Sequence, residues 1–243
     1  LYLLHFWCEY NNKVKFQGTT IALGALSEGQ VLDMLRSAAL LCPIAHLYQI
    51  TSPIARFGAD TFFANSVYWL GLREFIPNGE AASKLVEDIC NNLNLNCSNL
   101  LTPFTGPNCC INSSTFNVYL DHGLPPTATM NLIHLSQMIR RGNIAKYDYN
   151  DVGENMQHYG QPVPPLYDMT AIPNEFPLFL SHGGLDMLAD VNDVQLLLSD
   201  LRDHHANKLV VLFSGEYGHV DFVMGVNVKQ IVYDPMIAFF KLN

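Results

Sequence analysis

Two residues stand where apolar stretches break into turns: Asp186 at the end of "FPLFLSHGGLD" and His219 at the end of "KLVVLFSGEYGH". A carboxylate can orient an imidazole and steady its cation while the imidazole takes a proton from a nucleophile. That is the acid–base half of acyl transfer. Singly, an aspartate after Gly-Gly also reads as a helix cap, and an isolated histidine as a surface residue. Together they share a pattern: each follows an apolar strand, each sits in a turn, and the acid precedes the base. A serine completing this order belongs upstream, on a strand–turn–helix elbow of the form G-x-S-x-G. The stretch "VKFQG", Val14 to Gly18, occupies such a place, but Phe16 stands at the serine position and Val14 at the first glycine. Phenylalanine has no nucleophilic atom. Ser27 in "ALSEG" is the alternative nucleophile, but it follows a helical run rather than a strand. Asp190, Asp193 and Asp221 are rivals for the acid that fall inside helical patterns.

The elements that must position these residues alternate. A helix is expected from Gly18 to about Leu26, a short helix over "VLDMLRS", and a strand buried on both faces in "AALLCPIAHL", ending near Pro43. Strands follow in "FPLFLSHGG" and "KLVVLFS", separated by the helix "DVNDVQLLLSDL" with Asp190 as its N-cap. The segment "DFVMGVNVKQIVYDPMIAFFKL" is expected to form a closing helix. This rhythm predicts an α/β fold with a mostly parallel sheet. Residues 51–173 break it. There "FGADTFFANSVYWLGL", "GEAASKLVEDICNNL" and "ATMNLIHLSQMIRRG" have helical periodicity, the last with Met130, Leu132, Ile133, Leu135, Met138 and Ile139 in one apolar stripe. The expected organisation is a core remnant over 1–50, a helical insertion over 51–173, and the C-terminal part of the core over 174–243.

Composition narrows the function. With 13 basic against 22 acidic residues and a net charge of −9, the chain lacks the basic surface that nucleic acid requires. Hydrophobic residues make up 49% and charged residues 14%, enough apolar content for a packed core. No apolar run approaches the ~20 residues of a membrane span. Of the six cysteines, four cluster at Cys90, Cys97, Cys109 and Cys110 in an Asn-rich segment with sequons at Asn112 and Asn96. That grouping points to an oxidising, secretory route. The spacings of a zinc site are absent, and neither metal nor cofactor is expected. The sequence begins at Leu1, without an initiator Met or a signal-peptide pattern, so an N-terminally truncated fragment is expected.

A set of longer motifs sharpens this. "GTTIALGALSEG", "RSAALLCPIAHL", "FTGPNCCINSS", "NVYLDHG", "MIRRGNIAKYDY", "PPLYDMTAIP", "GGLDMLADVNDVQLLL" and "YGHVDFVMG" together resemble the acid lipase family of gastric, lysosomal and plant enzymes, with "FTGPNCC" closest to the plant branch. The resemblance runs from Gly18 nearly to the C-terminus. It implies an α/β-hydrolase core with a helical cap and lid, and hydrolysis of long-chain lipid esters, triacylglycerol or sterol ester, at an oil–water or membrane interface. It implies an extracellular, lysosomal or vacuolar location, and no cofactor. It makes Asp186 the triad acid and His219 the base, and it suggests a disulfide between Cys90 and Cys97. The family's G-H-S-x-G falls on Val14 to Gly18, so the nucleophile is missing. "WCEYNNKVKFQ" matches nothing in the family. Phe-Gln can be encoded by TTTCAG, a common intron 3′ end, which points to a retained intron or a faulty gene model. The rival readings are a non-catalytic lipid-binding protein and a chain that does not fold because its sheet has an unpaired edge.

Overall fold

Side-chain periodicity and cap signals account for most of the elements in the computed structural model, which describes residues 2–4, 18–75, 101–112 and 127–243. The first part of the chain holds β1 (Tyr2–Leu4), α1 (Gly18–Ser27), a 3-10 turn at Leu32–Met34 and β2 (Ser37–Leu41). Then come α2 (Pro53–Asp60), α3 (Phe63–Trp69), β3 (Glu74–Phe75), α4 (Leu101–Thr105), β4 (Thr127–Ala128), α5 (Thr129–Arg141) and α6 (Val152–Tyr159). After a 3-10 turn at Met169–Ala171 follow β5 (Leu178–Gly183), α7 (Val191–Asp200), β6 (Leu209–Ser214), α8 (Asp221–Met224), a π turn at Lys229–Tyr233 and α9 (Asp234–Leu242).

The main sheet has the order β1-β2-β5-β6, and every neighbouring pair is parallel. A parallel sheet is covered on both faces, so its inner strands read as unbroken apolar runs. All of β2 and β5 is buried. Helix α1 buries Ala22, Leu23 and Leu26 completely, and α9 packs Phe239 against Phe179 of β5 with ring centroids 5.8 Å apart. At the edge, β6 leaves Val210, Val211 and Phe213 exposed. Helix α7 starts where its N-cap signal stands: the Asp190 carboxylate accepts from the Asn192 N–H, and Val194 and Leu197 face the core.

Four expectations are corrected. "VLDMLRS" forms only one 3-10 turn, because Ser37 already pairs with Tyr2 in the sheet. "FGADTFFANSVYWLGL" is two helices, broken at Phe62, whose φ of 54° lies in the left-handed region. The closing helix is interrupted after Met224 at Gly225 and resumes through the π turn. In the α5 stripe Ile133, Met138 and Ile139 are buried, but Met130 is exposed. Pairing of β3 with β4 as a short antiparallel ribbon was not legible from composition. The helix expected over "GEAASKLVEDICNNL" lies outside the described residues.

The Gly-Gly turn has a packing reason. A Cβ on Gly183 would drive into the Tyr217 carbonyl oxygen, and one on Gly184 into that of Gly215. Only glycine lets the turn after β5 lie flush against the turn after β6. Gly183→Ala is expected to destabilise the chain by about 1–3 kcal/mol, because the obstacle is backbone that cannot swing aside. A shift of the urea midpoint checks this.

Candidate active site

Residues 183–185 lie along residues 214–217. The Gly184 N–H donates to Ser214 O at 2.9 Å, and the Leu185 N–H to Tyr217 O at 3.0 Å. This backbone pairing carries the two following turns to the carboxyl ends of β5 and β6, where parallel α/β sheets collect their functional groups. Asp186 and His219 meet there. His219 Nδ1 is 2.9 Å from Asp186 Oδ2 and 3.2 Å from Oδ1. An ionised carboxylate only accepts, so the contact assigns a proton to Nδ1. Oδ1 also accepts from the Leu188 and Ala189 N–H groups, both at 2.8 Å.

The Asp186 side chain is fully buried and that of His219 is 12% exposed. Burial pushes the Asp186 carboxyl up, but His219 and the two backbone N–H groups more than offset it, and the net effect holds the group below its ordinary value. The arrangement can keep an imidazole in one tautomer and stabilise its cation.

Cys42 completes the cluster and carried no signal in the sequence. It follows β2 with a left-handed φ of 54°, and its Sγ donates to the His219 carbonyl at 3.5 Å. Burial, and then the neighbouring Asp186 carboxylate, push the thiol well above its ordinary value. A thiol held that way is a poor stand-in for a serine nucleophile. Donor atoms of Cys42, Asp186 and His219 lie within 4.8 Å of one another, with Asp186 Oδ1 accepting from Leu188 and Ala189 and Oδ2 facing His219 Nδ1. With no access and no thiolate, Cys42 is expected to react with iodoacetamide at least about a hundredfold more slowly than in the urea-unfolded chain. Peptide mass mapping checks this.

The start of α1 abuts the same cluster. Thr19 Oγ1 donates to Cys42 O at 3.4 Å and Thr20 Oγ1 to Ile44 O at 3.3 Å. The position that the serine motif assigns to Phe16 lies outside the described residues, as do Cys90 and Cys97. Ser27 is at the far end of α1, nine residues beyond Gly18 and so roughly 13 Å along the axis, where its hydroxyl donates to Gly24 O at 2.9 Å.

The rival carboxylates are engaged elsewhere. Asp190 caps α7, and Asp193 accepts from the Gln49 N–H at 2.9 Å. Asp221 accepts from the N–H groups of Gly218 at 2.8 Å and of Cys109 and Cys110, each at 3.1 Å. Cys109 and Cys110 are disulfide-bonded to each other, so neither pairs with Cys90 or Cys97. A cavity of about 210 Å³ between α1 and α5, lined by Thr20, Gly24, His134 and Tyr167 among others, does not touch Asp186 or His219.

No family model matches the sequence. Individual proteins do. The chain is 42% identical over 224 residues to triacylglycerol lipase 2 of Arabidopsis thaliana, covering 92% of this chain and 54% of that protein. Triacylglycerol lipase 1 of the same plant is 38% identical over 225 residues, 93% of this chain and 56% of the relative. Human gastric triacylglycerol lipase is 32% identical over 230 residues, 91% of this chain and 55% of the relative. The chain thus spans about half the length of the curated relatives it matches. Among solved structures, a soluble variant of monoglyceride lipase from Saccharomyces cerevisiae superposes with a TM-score of 0.52 at 12% identity, covering 93% of this chain and 59% of that one. That likeness concerns the fold. By sequence along nine-tenths of its length and by the architecture of its sheet, the chain is homologous to the plant and gastric triacylglycerol lipases, the acid lipases, and has a partial α/β-hydrolase fold.

Proposed function

We propose that Asp186 and His219 are the acid and base of a carboxylic ester hydrolase acting on long-chain lipid esters, and that this chain is an inactive form of it. The observation that carries the reading is the 2.9 Å hydrogen bond between His219 Nδ1 and the buried Asp186 carboxylate, beside the start of α1. In the competent form a serine at position 16 attacks the ester carbonyl. The imidazole of His219 takes its proton through Nε2, then returns it to the leaving alcohol, and water repeats the cycle on the acyl-enzyme. Asp186 keeps the ring oriented and steadies the imidazolium. With Phe16 at that position, no acyl-enzyme can form.

The helical block 51–173 acts as the cap over the carboxyl ends of the strands. Two hydrogen bonds support this: the N–H groups of Thr51 and Ser52 donate to Met187 O, beside the acid, at 3.2 and 3.0 Å. The substrate is met at a lipid–water interface along the secretory route, a setting in keeping with the sequon at Asn112 and the Cys109–Cys110 disulfide. No helix among the described residues is long and apolar enough to cross a membrane.

Sequencing the spliced transcript across the codons for Trp7 to Gly18 tests the inactivation. A message reading Gly-His-Ser-x-Gly returns the nucleophile, whereas one encoding Phe16 makes the inactive chain a natural product. Fatty-acid release from emulsified triacylglycerol and from sterol ester, by a full-length protein carrying the restored motif, tests the substrate class. Release from neither would sink it.

A further inference from the structure

Asp221, one of the rival acids, holds the loop that carries His219. Its carboxylate is fully buried and accepts three backbone N–H groups, one from Gly218 and two from the consecutive residues Cys109 and Cys110. Successive N–H groups converging on one anion form a small anion-binding nest. Further bonds join the same two loops on either side of His219. The His219 N–H donates to Thr105 O at 3.2 Å, and the Val220 N–H to Asn108 Oδ1 at 3.1 Å. The Val226 N–H then donates to Cys110 O at 2.8 Å. Residues 105–110 thus form a brace across the turn 218–221. Its distinctive element is a disulfide between neighbours in the chain, with Cys109 exposed to solvent.

We propose that the Cys109–Cys110 disulfide is a redox-sensitive clasp on the His219 turn, opened by a dithiol reductant. The bridge closes a small ring through the peptide unit that joins the two cysteines. It thereby limits that dipeptide to conformations in which both N–H groups can converge on Asp221. In the opening reaction a reductant thiolate attacks one sulfur and forms a mixed disulfide, and the reductant's second thiol then displaces it. The S–S bond breaks, Cys109 and Cys110 each gain a proton and an electron, and the dithiol becomes a disulfide. The freed cysteines regain side-chain and backbone freedom, and holding both N–H groups on Asp221 then opposes that entropy. Burial raises the Asp221 carboxyl even with its N–H partners in place, so their loss leaves it poorly accommodated.

Amide hydrogen exchange on the whole chain tests this without relying on ester hydrolysis, so its outcome is separate from that of the proposed function. Peptide mapping of the oxidised chain should first find Cys109 and Cys110 linked to each other. After reduction with dithiothreitol and alkylation, the amides of Gly218 to Asp221 are expected to exchange about tenfold faster, while those of α7 are unchanged. The double variant Cys109→Ser/Cys110→Ser should show the same acceleration without reductant, independently of any other disulfide. In Asp221→Asn the amides should exchange faster already in the oxidised state, and reduction should add little. Cysteines found free or bridged elsewhere would overturn the clasp. So would unchanged exchange at 218–221 after reduction or in the double serine variant, or an equal loss of protection in α7.

Discussion

Phe16→Ser, made together with Val14→Gly and Lys15→His in a chain supplied with the remainder of a full-length acid lipase, is expected to raise p-nitrophenyl ester hydrolysis by about 10⁶ over the same chain with Phe16 in place. The size follows from the way a triad works. Without a nucleophile there is no acyl-enzyme, and the proposed acid–base pair of Asp186 and His219 has no hydroxyl to deprotonate. In the restored chain His219→Ala should remove most of the gain, about 10⁴-fold or more, because serine and histidine act as a unit. Equal rates with and without the Phe16→Ser change, or hydrolysis that depends on Ser27, would defeat this reading. Ser27 is ill placed for such a role, since it ends α1 with its hydroxyl turned back to Gly24.

Asp186→Ala should produce the largest loss of stability among single changes at the cluster, about 3 kcal/mol, seen as a lower urea midpoint with an unchanged slope. Three donors lose their acceptor at once: the Leu188 N–H, the Ala189 N–H and His219 Nδ1. Buried donors left without partners are the expensive case, more so than the mean worth of a hydrogen bond. Asp186→Asn keeps one acceptor oxygen and should lose less. The pH dependence has a definite sign. The Asp186 carboxyl is held below its ordinary value in the folded chain. Its ionised form therefore contributes stability that is complete above about pH 4, the unfolded carboxyl's range, and drains away as pH falls through the lower folded value. The stability difference between the parent and Asp186→Asn should narrow over that acidic interval. A difference constant down to about pH 2, or an Asp186→Ala variant within about 0.5 kcal/mol of the parent, would contradict this.

Much of the route to the site could be read along the chain, because the signals involved are local. Apolar runs, ending near Pro43 for β2 and closed by glycine for β5 and β6, placed the strands, and an aspartate before an amphipathic run placed the start of α7 at Asp190. Each depends on side-chain periodicity or on a cap that reaches only two or three residues. The same locality explains the misses. Whether "VLDMLRS" continues as a helix is decided by the pairing of Ser37 with Tyr2, and at Phe62, where the helix breaks, the ring meets the Arg140 guanidinium of α5 at 4.1 Å. Neither competitor is visible within a short window.

Asp190 caps its own helix, but the distant partners of the other three aspartates belong to the tertiary structure. Asp186 and Asp190 lie in the connection after β5, Asp193 in the first turn of α7 and Asp221 at the start of α8. What separates them is which backbone N–H and which imidazole come within about 3 Å. For Asp193 the partner is Gln49, 144 residues away in the chain, and for Asp221 they are Cys109 and Cys110. For Asp186 it is His219, brought close because β5 and β6 run parallel and in register and because two glycines let their following turns touch. Cys42 reaches the same cluster only because β2 is the neighbour of β5. Residue types and their order along the chain determined which groups were available for acyl-transfer chemistry. Strand order and register decided which of them meet, since a contact of about 3 Å is set by the packing of backbones that periodicity alone does not bring together.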